Sequence, residues 1–229
     1  MSMFRKKNII KFESCYKEYP NIIIPSRTIV PNWYKNEKPG KETSSSFKKC
    51  VPLLEAITCG YLVKLPMDVY VEQRDNAPFV LWSNVEEGKD LIGYRLNDSI
   101  DNIPAPEGFH KNSFYWKFPV SFQIPIGYSA LFTQPLNRFD LPFLCFSVVI
   151  DGGYTLPPGA NVSFYIKENF EGLIPQGTPI AQIIPFKNES WLAENSKGTA
   201  EQGKENKIKS SMVFGRWYKN TWWVKKDYR

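Results

Sequence analysis

Residues 146–159, FSVVIDGGYTLPPG, set Val148, Val149 and Ile150 in a row and follow them with a carboxylate, two glycines and a tyrosine. Consecutive β-branched side chains fit a pleated surface and favour an extended strand. The Gly-Gly pair and the Pro-Pro-Gly beyond it interrupt the extension and turn the chain. Asp151 stands where the strand ends, either as a turn carboxylate or as a working acid or base.

The flanking sequence repeats the pattern. Between residues 113 and 187, SFYWKFPVSFQIP, YSALFTQPL, FLCFSVVID, NVSFYIKENFEGLIP and TPIAQIIPF are apolar runs bounded by Gly, Pro or Asn, which predicts five strands in a dense β module. Upstream, NIIIP at 21–25 reads as an edge strand ended by proline. The stretch from 25 to 50 reads as an irregular excursion pinned by Trp33 and Tyr34. CVPLLEAITCGYLVKLPMDVYVEQ ends in an alternation through Leu62, Lys64, Met67, Val69 and Val71, broken at Pro66, and predicts two strand pieces rather than a helix. APFVLWSNVEEG and DLIGYRL suggest a hairpin with an acidic connection, and NDSIDNIPAPEGFHKN a loop.

With 229 residues, 42% hydrophobic, 18 prolines and 15% aromatics, the chain is expected to be a mainly β single domain with appendages. Its divisions are an N-terminal wrap or arm over 1–50, a core over 51–191, and a linker with an aromatic and basic tail over 192–229. LAENSKGTAEQGKENKIKS reads as a linker or weak helix, and Trp217, Tyr218 and Trp222 as one face of a terminal helix docking on its own protein or a neighbouring subunit. The net charge of +6 is concentrated at the two ends, where solvated termini and polyanion binding are both open.

Cys15, Cys50, Cys59 and Cys145 show no metal-ligand spacing, and His110 cannot complete a zinc set. The thiols are expected to be small core residues and His110 an exposed loop residue. No 18-residue apolar run and no apolar leader are present, so a membrane span is not expected.

The order GYLV (60–63), IPIGYSALFTQP (124–135), VVIDGGY (148–154) and IPQGTPIAQIIPF (174–186) resembles deoxyuridine triphosphatases and the related deoxycytidine triphosphate deaminases. Pro135 precedes Asp151 by sixteen residues, the family's interval from the proline ahead of its R-S-S motif to its aspartate. The resemblance implies a dUTPase-like β-clip, or distorted jelly-roll barrel, and a trimer. It also implies a sugar site in which Asp151 accepts a hydroxyl or activates water and Tyr154 faces the deoxyribose.

Other positions depart from the family pattern. Leu136, Asn137 and Arg138 replace R-S-S, Leu62 replaces the metal-associated aspartate, and Thr155 and Leu156 replace the Y-R-G continuation. VFGRW (213–217) only faintly echoes the glycine-rich lid. Losing both phosphate and metal groups removes several kcal/mol of transition-state stabilisation, so no catalytic residue is expected and magnesium enters only with an active hydrolase.

VPNWYK, GYSALFTQPLNRFDLPF, VVIDGGY and FYIKENFEGLIPQGTPIAQIIPFKNESW also resemble, over residues 31–191, a protein family common in tailed bacteriophages that carries no settled activity. That likeness implies a phage protein placed in the virion or the host cytoplasm.

Candidate ligand-binding residues are Asp151, Tyr154, Asn137 and Arg138. Arg138 also has Asp140 within reach across the loop, and Asn137 suits an Asx turn. Four functions stay open: a catalytically degenerate scaffold working by assembly with itself or other phage structural proteins, a nucleotide-like ligand binder, an active nucleotide pyrophosphatase, and a nucleic-acid binder using the tail.

Overall fold

The computed structural model describes residues 8–14, 21–40, 46–75, 77–82, 91–95, 103–212 and 217–229. The acidic connection at 83–90, Cys15, and most of the VFGRW stretch lie outside the described residues. Two compact units are present: Met1–Ile24 with Gly60–Asn188, and Pro25–Cys59 with Glu189–Arg229. Each unit is built from two stretches of the chain.

The first strands in chain order are β1 (Lys11–Ser14), β2 (Ile23–Pro25), β3 (Tyr61–Lys64), β4 (Val69–Arg74), β5 (Ala77–Trp82), β6 (Ile92–Tyr94) and β7 (Phe109–Lys117). They are followed by β8 (Val120–Gln123), β9 (Tyr128–Thr133), β10 (Phe143–Cys145), β11 (Val148–Asp151), β12 (Thr155–Leu156), β13 (Asn161–Lys167), β14 (Gly172–Ile174) and β15 (Pro179–Lys187). Four sheets result, ordered β1-β8-β12, β10-β13-β7-β6, β11-β9-β15-β3-β2 and β14-β4-β5, with no closed barrel among the described residues. The mainly β fold is therefore present, with β2 at a sheet edge as its terminal proline requires.

The expected runs are β structure but are cut more finely. FLCFSVVID gives β10 and β11, which lie in different sheets, and NVSFYIKENFEGLIP gives β13 and β14, which also part. The hairpin expected between β5 and β6 is absent: β5 pairs with β4 and β6 with β7. The actual hairpin joins Arg74 to Ala77 through a two-residue link in which Asp75 takes φ 51°, a left-handed value that aspartate tolerates. His110 lies on β7, half-buried, its Nδ1 accepting the Asn112 backbone N–H at 3.1 Å, so it is not the exposed loop residue expected.

Aromatic side chains fill the core of this unit. Trp116, wholly buried, stacks on Phe164 with ring centroids 4.1 Å apart and planes 10° apart, and Phe143 closes edge-on against both. Phe122 meets Phe132 edge-on at 5.3 Å, and Phe118 touches both. Such pairs add about 0.5–1.5 kcal/mol each beyond area burial. Cys145 is buried beside them and its thiol donates to the Ile180 carbonyl at 3.1 Å. Burial pushes that thiol far up, against the pull of the Trp116 indole, so it is inert. Cys50, by contrast, is exposed.

In the second unit, helix α1 (Asn32–Asn36) and helix α2 (Val51–Thr58) stand where an irregular excursion and a strand piece were expected. Pro52 falls in the first turn of α2, where no N–H is needed, and Ile57 is its buried residue. Tyr34 is buried, with Trp33 edge-on to it and Lys48 over its ring.

Helix α3 (Ala200–Met212) begins with a reciprocal capping box: Gln202 N donates to Thr199 Oγ1 at 3.2 Å, and Thr199 N donates to Gln202 Oε1 at 3.3 Å. Beyond helix α4 (Trp217–Thr221), Trp223 Nε1 donates to Glu55 Oε2 at 2.9 Å and Lys226 Nζ to Glu55 Oε1 at 2.7 Å. Arg27 pairs with Asp227 at 2.8 Å. The tail thus docks on its own chain and spends part of its basic charge there.

Phe164→Ala opens a cavity under Trp116 and Phe143, and urea unfolding followed by circular dichroism is expected to show a loss of about 3–5 kcal/mol.

Candidate functional site

Three elements meet at one hydroxyl. Ser129, 2% exposed on β9, faces Asp151 across the β9–β11 ladder and donates to its Oδ1 at 2.5 Å. The Asn188 side-chain amide lies 2.6 Å from the same hydroxyl, and its backbone N–H reaches the Gly127 carbonyl at 2.9 Å. A serine has one proton to give; the charged carboxylate takes it, because charge-assisted bonds are the stronger. Asp151 is therefore oriented from below by a buried donor while its residue stays exposed.

The chain then turns tightly. Gly152 N donates to the Tyr128 carbonyl at 2.7 Å and Gly153 N to the Ile124 carbonyl at 3.0 Å. A Cβ on Gly152 would sit 2.1 Å from the Pro125 carbonyl oxygen, and Gly153 takes φ 94°, so the Gly-Gly pair is required by packing and by conformation. The turn carries Tyr154 outward, 64% exposed. A cavity of about 270 Å³ lies beside the turn, lined by Ile9, residues 123–126 and Gly153.

Asn137 and Arg138 are placed elsewhere. Arg138 N donates to the Pro135 carbonyl at 3.2 Å, closing a turn in which Asn137 takes φ 59°. The Leu136 N–H is held by Gln182 Oε1 at 2.8 Å, from a side chain only 1% exposed. Arg138 forks onto Asp140, Nε to Oδ1 at 2.8 Å and Nη2 to Oδ2 at 2.7 Å. Burial raises the Asp140 carboxyl, but the Arg138 hydrogen bonds and charge, with Lys167 behind them, outweigh it and hold the group below the usual carboxylate range.

This turn follows the Thr133 end of β9, where the Thr133 and Ser147 hydroxyls meet at 2.6 Å. Asp151 is at the other end, four residues along, or about 13 Å in an extended strand. Within one chain the structure does not bring Asp151 and Tyr154 together with Asn137 and Arg138.

Two amides, Gln182 buried and Gln134 half-buried, also hold this region. Gln182 holds the 135–138 turn, and Gln134 joins β9 to β10, accepting from Cys145 N at 2.8 Å and donating to the Phe143 carbonyl at 3.2 Å. The available signal was a glutamine inside an apolar run, as in IAQIIPF, since a buried amide needs backbone partners. Among the described residues no group of three His, Cys, Asp or Glu side chains is arranged to hold a metal ion.

No family model matches the chain, and no curated protein matches it. The solved structures it is similar to include phage dUTPases. A mutant dUTPase from phage phi11 of S. aureus is 12% identical, over 84% of this chain and 99% of that one, with a TM-score of 0.36. A mutant Staphylococcus bacteriophage 80alpha dUTPase with dUpNHpp is 13% identical, over 85% of this chain and 91% of that one, also at 0.36. A likeness this loose carries nothing about activity, which has to come from this chain's own side chains.

Gly152→Ala is expected to cost about 1–3 kcal/mol by forced overpacking, measured by chemical denaturation. Asp140→Asn is expected to remove stability that the wild type holds above the ordinary carboxylate range and loses as pH falls through its depressed pKa. Denaturation midpoints of the two proteins should therefore converge as pH falls below the ordinary carboxylate range.

Proposed function

We propose that this chain is a phage protein that works as a non-catalytic β scaffold, by assembling with copies of itself into a trimer or larger particle. The observation that carries this reading is the state of β11. It is the outermost strand of its sheet, and Val148 and Val149 on it are 38% and 59% exposed. Val149 continues across the sheet into half-buried Leu131 and Ile184, with 42%-exposed Phe186 in the next row.

Natural sheet edges are usually blunted by lysine, proline or a bulge. The Val148–Ile150 stretch has none of these, and a second protomer would cover both its apolar side chains and its unpaired backbone. The site chemistry agrees with a non-catalytic role, since Arg138 is engaged by Asp140 and Leu136 occupies the first position of the phosphate-gripping motif.

The second reading, a nucleotide-like ligand binder, is favoured by the anchored Asp151 carboxylate and the small cavity that begins two residues after it. Assembly with other phage proteins, in the virion or in the host cytoplasm, is compatible with either reading. No helix among the described residues is long and apolar enough to cross a membrane.

Sedimentation velocity at about 50 µM is expected to show an assembly for the wild type and a folded monomer for Val149→Lys, because a desolvated lysine at such an edge is unfavourable. A monomeric wild type overturns the assembly reading. Pyrophosphate release from dUTP with magnesium, lost in Asp151→Asn, overturns the non-catalytic one.

A further inference from the structure

A second and larger cavity, of about 420 Å³, lies away from Asp151 where two sheets present their outermost strands to each other. Phe79 on β5 forms one wall; Ile92 and Tyr94 on β6, with Phe114 on β7 behind them, form the other. Phe79 and Tyr94 are 42% and 45% exposed, and Tyr94 stands edge-on to Phe114 with centroids 5.3 Å apart. Volume and lining are those of small-molecule sites, which are mostly apolar with few polar groups.

Among the described residues of the lining the charged side chain is Arg74, whose guanidinium lies over the Phe79 ring at 3.8 Å. Its Nε is bound to Glu72, which leaves the two terminal nitrogens of the fork as donors. An added strand from another protein fits poorly, because Pro78 on the β5 edge has no N–H to offer.

We propose that this cavity binds a planar aromatic molecule of about two rings carrying one anionic group, its rings between Phe79 and Tyr94 and its anion at Arg74. Aromatic walls accept a flat ring edge-on or offset, and a guanidinium fixed over a ring meets an oxyanion through its outer edge. The site shares no residue with the β11 edge or with Asp151, so its test is independent of the function proposed above.

The probes are the anionic dye anilinonaphthalene sulfonate and its neutral counterpart phenylnaphthylamine, titrated into the full chain by fluorescence. Both are expected to bind saturably at one per chain. Ala77→Trp fills the space and is expected to abolish both, and Tyr94→Ala, a change at an exposed position, to weaken both. Arg74→Gln is expected to weaken the anionic dye roughly threefold or more while leaving the neutral one unchanged, in line with a partly exposed charge contact.

Absence of saturable binding overturns the proposal, as does binding insensitive to both Ala77→Trp and Tyr94→Ala. Equal effects of Arg74→Gln on the two dyes overturn the anionic assignment. Dye binding that falls as protein concentration rises assigns the groove to a second copy of the chain and overturns the ligand.

Discussion

Trp116 lying flat on Phe164 is the contact around which the β unit is organised. Trp116 belongs to β7 and Phe164 to β13, the central pair of the four-stranded sheet. Two residues after Trp116 the chain has left β7, and Phe118 contacts both Phe122 of β8 and Phe132 of β9. Phe12 on β1 completes the line against Phe122. Two ring clusters result, one on the four-stranded sheet and one tying the β1-β8-β12 sheet to the sheet that holds β9. A chain that changes sheet so often has few local contacts to hold each change, and large rigid side chains reaching across the gaps supply what short ladders cannot.

This arrangement explains what could and could not be read from the sequence. The apolar runs between 113 and 187 were legible as strands because β-branched and aromatic residues are dense there and Gly or Pro bounds each run. Their division was not legible. FLCFSVVID is one run in composition, yet Phe146 N donates to the Ser163 carbonyl while Thr133 meets Ser147, so adjacent residues serve different sheets. Periodicity reports that a residue is buried and not which partner buries it. The same blindness set β5 against β6 as a hairpin when each pairs elsewhere. Helix α2 was hidden in a window dominated by the alternation that follows it. The capping box at Thr199–Gln202, with its four-residue signature, was present in the sequence and sufficient to place the start of α3.

The candidate site shows the same split. Arg138 and Asp140 were legible as a pair because they are two residues apart and bear opposite charges. Asp151 was legible as a strand-end carboxylate, but its anchor was not: Ser129 is twenty-two residues earlier and Asn188 thirty-seven later, joined only by sheet register. The distance between Asp151 and the 135–138 turn also follows from register, since β9 and β11 run antiparallel and put the two motifs at opposite ends of one ladder.

That register bears on how an open edge can be used without disorder. β11 offers three unguarded β-branched residues, then a carboxylate fixed by Ser129, then a Gly-Gly turn held against the backbone of residues 124–128. A strand added there cannot slide past Asp151 without burying a charge whose partner hydroxyl is already used, nor continue along a turn whose Gly152 and Gly153 N–H groups are occupied. The edge is apolar over three residues only, so a strand laid against it would have few registers open to it. Asp151 thus marks the end of the apolar stretch of the edge: its carboxylate is held by Ser129, and the chain beyond it is committed to the Gly152–Gly153 turn.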